Sequence, residues 1–238
     1  MLVQFFRGVQ ELVFPPVCVY CRAFTNGRDY FCDSCIGALT ADTHLTCPRC
    51  SSNVGIACIV ETGCPRCRGD RFRFEQVIRL GPYEGLLQEV ILTMKGRNGE
   101  SLAECMGILW ARHAETRLRE LGVDMVVPVA LHLRRTWQRG FNQCRALAEG
   151  IAGRLQIPLV ANWLKRSRAT PDQTSLTAAE RRTNMRGVFR AHPLKAAAGK
   201  SILLIDDVLT TGSTASDAAR ALREAGATRV CVAVLAHR

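Results

Sequence analysis

Four CxxC pairs follow one another in the first third of the chain, at Cys18/Cys21, Cys32/Cys35, Cys47/Cys50 and Cys64/Cys67, with ten, eleven and thirteen residues between successive pairs. A CxxC sets two sulfurs on one tight knuckle. Two knuckles complete a tetrahedral four-thiolate shell with no open position, which is what a structural zinc site requires. Eight ligands make two such sites. The segment is poor in large aliphatic residues, so metal takes the place of a missing core. An iron–sulfur cluster or a redox dithiol competes for the same ligands, but a redox CxxC normally stands singly at the start of a helix. The spacing is read as consecutive ribbons, the first two pairs and then the last two. An interleaved cross-brace also fits the near-equal intervals. Cys58 and His44 break the spacing and read as bystanders, while Cys105, Cys144 and Cys231 read as small core residues.

No apolar run in the 238 residues approaches the roughly 20 needed to span a bilayer. The opening MLVQFFRGVQELVFPP is read as a short amphipathic helix packed on its own domain, not as a signal peptide. With no export signal the expected compartment is the reducing cytoplasm, where twelve cysteines argue for metal ligation over disulfides. The net charge of +11 is unevenly placed. Residues 131–190 carry twelve Arg or Lys against Glu149, Asp172 and Glu180, a net +9, whereas residues 1–73 carry eight basic and six acidic side chains. Such a stretch attracts anions, phosphates or nucleic acid among them.

From residue 74 the pattern changes to strands alternating with helices. Strands are expected at 74–80, 124–129, 157–163, 202–205 and 229–235. Helices are expected around Leu86–Met94, over 101–121, after an Asn142 cap, and from 213 to a stop at Gly226. That alternation predicts an α/β domain with a parallel sheet flanked by helices, over 74–238, behind a zinc-ribbon module over 1–73. The uninterrupted apolar run Ile202–Ile205 suits a central parallel strand.

At the carboxyl end of that strand, where open α/β sheets bind ligands, stand Asp206 and Asp207, followed by Thr210, Thr211, Gly212, Ser213 and Thr214. Adjacent carboxylates suit the two adjacent hydroxyls of a ribose. The glycine lets the backbone close on a phosphate, whose oxygens the hydroxyls and helix-start N–H groups can bind. Acids would repel a bare phosphate, so acids followed by hydroxyls point to a sugar phosphate. There is no GK[ST] for a P-loop and no GxGxxG for a dinucleotide.

Residues 202–214, ILLIDDVLTTGST, resemble the 5-phosphoribosyl 1-pyrophosphate (PRPP) motif of type I phosphoribosyltransferases. Nearly the whole chain resembles one branch of them, the ComF family. The resemblance rests on the four CxxC pairs, Tyr83-Glu84-Gly85 with Lys95 downstream, VPVALHLRRTWQRGFNQ at 127–143, and KRSRATPDQTSLTAAERRTNMRGVF at 165–189. It departs at Ala130–Leu133, where the family more often has a proline-containing loop. The resemblance implies that 127–143 is the pyrophosphate loop, with Arg134, Arg135 and Arg139 as its ligands. It also implies that 165–189 is a lid carrying Arg166, Arg168, Arg181 and Arg182. Asn142 and Gln143 read as helix caps, and Lys95 as a ligand contact or, by preference, a solvent-facing helix end.

Three functions fit. A transferase would use Mg²⁺ with PRPP and arginines to stabilise departing pyrophosphate, with no protein nucleophile. A nucleic-acid role is implied by the family's link to natural transformation, with imported single-stranded DNA as ligand and competence or recombination proteins as partners. A PRPP-sensing adaptor would bind without turnover. The second is preferred, with the PRPP-type pocket as its working site.

Overall fold

The computed structural model describes residues 15–55, 63–168, 185, 187–192 and 197–238, apart from the Arg134 side chain. The amphipathic opening, Cys58, Arg181, Arg182 and most of the expected lid lie outside the described residues. The described elements are α1 (Asp33–Leu39), β1 (Val77–Pro82), α2 (Gly85–Met94), α3 (Glu100–His113), α4 (Glu115–Glu120), β2 (Met125–Pro128), α5 (Leu133–Arg139) and α6 (Gln143–Leu155). They continue with β3 (Leu164–Arg166), β4 (Phe189–Ala191), β5 (Ser201–Leu209), α7 (Ser213–Glu224) and β6 (Arg229–His237).

Strands β1, β6, β5 and β2 form one parallel sheet in that order, with Ile202 opposite both Met125 and Val230. Residues alternate between its faces, as a two-residue period demands. Leu203, Ile205, Ala233 and Leu235 join the core under α2, α3 and α6. Ile202, Leu204, Val232 and Val234 join the core under α7. Both faces are therefore buried, which is why these strands read as unbroken apolar runs.

The cysteine-rich head does not stand apart from this body. Cys18, Phe31, Cys35 and Leu39 share the core beneath α2 and α3. The buried Arg79 of β1 donates to Asp42 Oδ2 at 2.9 Å and to Asn53, and Ser52 Oγ meets His237 Nε2 at 3.2 Å. Tyr20 donates to Glu89 of α2 at 2.9 Å.

Two expected elements differ. Residues 157–163 make a single bridge, Leu159 to Val126, because Pro158 has no N–H to extend a ladder and 161–162 turn away. The strand instead forms one step later as β3, paired antiparallel with β4 in a separate hairpin. The single helix expected over 101–121 breaks at Ala114 into α3 and α4, which turns Leu118 and Leu121 into the core. Strand β5 runs four residues beyond the apolar run, through both aspartates to Leu209.

Helices α3 and α6 touch at two glycines. A Cβ on Gly107 would lie 2.2 Å from Leu147 O, and one on Gly150 2.2 Å from Glu104 O. Gly107→Ala or Gly150→Ala is expected to cost about 1–3 kcal/mol or more through overpacking. Gly153→Ala, in the same helix with nothing within 4 Å of the added methyl, is expected to be neutral or to stabilise by up to about 1 kcal/mol. Urea unfolding of the three variants checks this, and equal effects would contradict it.

Candidate functional site

Past Ile205, β5 leaves the apolar interior and its alternation carries the two aspartates to different neighbours. Asp206 falls on the α7 side of the sheet, where the Cys144 thiol at the start of α6 donates to its Oδ1 at 3.4 Å. Asp207 falls on the α2 side, where Lys95 Nζ lies 3.2 Å from Oδ2 and Gln143 Nε2 donates to the same oxygen at 3.1 Å. Backbone N–H groups of Asp207 and Val208 donate to the two carboxylates at 3.0 and 2.7 Å. Although the side chains diverge, one oxygen from each lies within 4.8 Å of the other and of Cys144 Sγ.

This arrangement separates their protonation. Burial, and then the charge of Asp207, push the Asp206 carboxyl up to about 7. Burial acts on Asp207 as well, but the Lys95 ammonium and the Gln143 amide outweigh it and hold that carboxyl below its ordinary value. Burial and the two aspartates keep the Cys144 thiol protonated.

The aspartates open onto a cavity of about 350 Å³, also lined by Thr210, Gly212, Ser213 and Thr214 on one side and by Arg135, Arg139 and Arg166 on the other. Gly212 takes a left-handed φ of 73°, and Ser213 begins α7 with no side chain capping its N-terminus. The start of α7 therefore borders the cavity, with the Ser213 N–H donating to Thr211 Oγ1 at 3.4 Å, and a helix start is where an anion site can form. Thr211 turns the other way. Its hydroxyl meets Ser213 Oγ at 2.8 Å, and it lines a separate space beside Cys50, Cys67 and His237. Arg139 donates to Gln143 Oε1 at 2.8 Å, so a relay runs from Arg139 through Gln143 to Asp207 and Lys95. Burial and the nearby Arg135 guanidinium both lower Arg166, and this cationic crowding is what a bound polyanion would relieve.

The sequence favours a solvent-facing helix end for Lys95 over a ligand contact and a cap for Gln143, yet both hold Asp207. Cys144 was read as a core residue and is one, but it also contacts Asp206. No local periodicity marks these three; only the family resemblance had singled out Lys95 and RGFNQ. Asn142 does cap α6, accepting from Cys144 N at 2.9 Å while donating to Val129 O at 3.0 Å.

In the head, Cys18, Cys21, Cys32 and Cys35 gather in one cluster and Cys47, Cys50, Cys64 and Cys67 in another, so successive pairs combine. The Sγ···Sγ separations of 3.6, 3.7 and 3.8 Å match the edge of a tetrahedron with Zn–S bonds of about 2.3 Å, an edge of about 3.8 Å. The two four-cysteine clusters thus fit metal ions, and zinc in particular. The second reaches the cavity through Phe72. Arg49 donates to Cys67 O and Asp70 O and lies over the Phe72 ring at 5.3 Å. A Cβ on Gly212 would meet that ring at 2.9 Å.

A family model, the phosphoribosyl transferase domain, matches residues 142–238. Over 226 residues the chain is 30% identical to DNA utilization protein YhgH of Escherichia coli K12, covering 93% of this chain and 96% of that protein. Competence protein F of Haemophilus influenzae is 28% identical over 227 residues, covering 92% and 96%. The chain belongs to the ComF family. Among solved structures, the glutamine PRPP amidotransferase of B. subtilis covers 60% of this chain and 30% of its own, at 21% identity and a TM-score of 0.41. This ComF protein therefore carries a phosphoribosyl transferase domain behind two four-cysteine clusters. No helix among the described residues is long and apolar enough to cross a membrane.

A raised carboxyl favours the folded state while protonated, so that contribution is lost as pH rises from the ordinary 3.8 through about 7. Asp206→Asn removes the cost of the buried charge. The unliganded variant is expected to melt above the parent protein at about pH 8, with the gap closing as pH falls below 7. Asp207→Asn leaves the Lys95 ammonium without its counter-charge and is expected to melt lower at the same pH. Scanning fluorimetry across pH checks both, and equal losses for the two variants would count against this charge assignment.

Proposed function

We propose that this ComF protein binds PRPP in the cavity at the end of β5 and works with it in handling single-stranded DNA in the cytoplasm. The observation that carries the reading is that one cavity joins a carboxylate pair, a hydroxyl- and N–H-rich helix start, and an arginine wall. A ribose accounts for all three. Its adjacent hydroxyls donate to Asp206 and Asp207, its 5-phosphate meets Thr210, Gly212, Ser213 and Thr214, and pyrophosphate lies toward Arg135 and Arg139. Mg²⁺ prefers oxygen ligands and keeps several waters, so carboxylate and phosphate oxygens suit it while the protonated Cys144 thiol does not. Bound there, it would neutralise pyrophosphate charge. Zinc in the two clusters has a structural role.

The DNA part of the reading is supported by the names of the relatives, DNA utilization protein and competence protein F, and by the net +9 over residues 131–190. The lid arginines Arg166, Arg168, Arg181 and Arg182 lie within that stretch. The head over 1–73 and the body over 74–238 would act together, since Phe72 connects the second cluster to the phosphate loop.

PRPP with Mg²⁺ is expected to raise the melting temperature, because a ligand of the native state alone adds RT ln(1 + [L]/Kd). The Asp206→Asn/Asp207→Asn double variant should lose that shift relative to its own unliganded baseline. Undiminished PRPP binding by the double variant would refute the carboxylate assignment. Metal analysis of reduced protein should find about two zinc ions per chain, and Cys47→Ser about one. Iron, or no metal, would overturn that part. Single-stranded DNA should bind with strong salt dependence. Neutralising the four lid arginines should flatten that dependence by up to ~0.7 log units per lost phosphate contact. If no DNA binding is found at near-physiological salt, the DNA role is wrong even where PRPP binds.

A further inference from the structure

The chain has three tryptophans, and they are treated very differently. Trp110 and Trp163 are buried, at 0% and 2% exposure, while Trp137 is 88% exposed. One helical turn before it, Leu133 is 80% exposed. Both sit on α5, whose sequence LRRTWQR holds three arginines and no acid. At 100° per residue, Leu133 and Trp137 share one face of α5, and Arg135 and Arg139 share the opposite face. The arginine face lines the cavity at the end of β5. The apolar face belongs to a different surface.

That surface borders a second cavity, of about 630 Å³, lined by Leu133, Thr136, Arg145, Lys165 and Arg166, with Glu100 and Glu149 also on its wall. Glu149 is paired with Arg145 at 2.9 Å. Arg166 lines both cavities, so the wall between them is cationic on each side. An indole left in water forfeits the free energy of burying its ring, so the fold gains nothing from Trp137 in this position. Its chemical surroundings say what would cover it. The core of a protein–protein interface is depleted of lysine, whereas this face of α5 borders, through Leu133, a cavity walled by Arg145, Lys165 and Arg166. A base of a single strand offers a flat π-face to the indole and phosphates to the flanking cations, the combination found in stacking platforms for single strands.

Building on the DNA reading above, we propose that Trp137, backed by Leu133, is a stacking platform for one base of single-stranded DNA, with neighbouring phosphates held at Lys165 and Arg166. The strand would then run along the outside of α5 toward the wall that it shares with the sugar-phosphate cavity.

The test uses the full chain and a dT oligomer, with binding followed by anisotropy of a label on the DNA and, separately, by tryptophan emission. Because Trp110 and Trp163 are buried, quenching on DNA binding reports Trp137. Trp137→Ala is expected to weaken binding by about 5- to 100-fold, the equivalent of one lost stacking contact, with the salt slope unchanged. Trp137→Phe should recover most of the affinity. Lys165→Gln should lower the salt slope by about 0.7 while quenching persists. An unaltered melting temperature and an unaltered PRPP shift in Trp137→Ala confirm that the variant is folded with its cavity intact. DNA binding without quenching, or Trp137→Ala binding as tightly as the parent, would overturn the platform and leave the DNA reading standing. A Trp137 patch serving a second copy or another protein predicts that result. If anisotropy detects no dT binding at all, the DNA reading falls and the platform with it.

Discussion

Two carboxylates buried at the end of a central parallel strand set the terms for everything around them. Neither can stay charged there without help, because burial disfavours the ionised form. Asp207 is stabilised by Lys95 from α2 and Gln143 from α6, and Asp206 is left to hold its proton to about neutrality. The site is therefore built from three separate stretches of chain. The end of α2, the start of α6 and the end of β5 must meet within hydrogen-bonding distance, and the packing of α3 on α6 through Gly107 and Gly150 lets α6 sit close enough. A pair with split protonation is suited to meeting a ligand that brings hydroxyl donors on one side and cations on the other.

The cysteine clusters solve a different problem. Residues 15–73 have too little apolar mass for a core, so metal-type knuckles fix the chain while the body supplies the packing. The first cluster borrows the core under α2 and α3. The second forms a small core of its own and reaches the body through Phe72, which stacks on Phe74 at 4.5 Å and occupies the space a Cβ at Gly212 would need. The second cluster thus adjoins the Gly212 turn through Phe72. Elsewhere on α7, the buried Asp217 accepts from the N–H groups of Gly187 and Phe189, both at 2.9 Å, and ties the start of β4 to that helix.

Much of this was legible in the sequence, because local rules govern it. The CxxC pairs mark the metal ligands, since each four-residue knuckle sets two sulfurs side by side. Strands β5, β2 and β6 and helices α2 and α7 follow from apolar periodicity, and the acid–acid–hydroxyl order states its chemistry. The errors came where a residue's partner lies far along the chain. Residues 157–163 look like a strand, but Pro158 and the turn after it move the pairing to Leu164–Arg166, whose partner is twenty-five residues away at Phe189–Ala191. Lys95 looks like a solvated helix end, because nothing within ten residues tells it of Asp207.

The sequence by itself determined which residues could ligate metal, which strand would be central and which loop would border the cavity at its end. Each of these depends on neighbours within a few residues, where backbone period and ligand spacing act. Only the tertiary structure decided that successive cysteine pairs combine, that Lys95 and Gln143 share Asp207, that Thr211 lines the space beside the second cluster and not the cavity at the end of β5, and that Trp137 remains in water. Those outcomes depend on which elements pack together, and packing is set by the sum of many weak contacts across the whole fold rather than by any local signal.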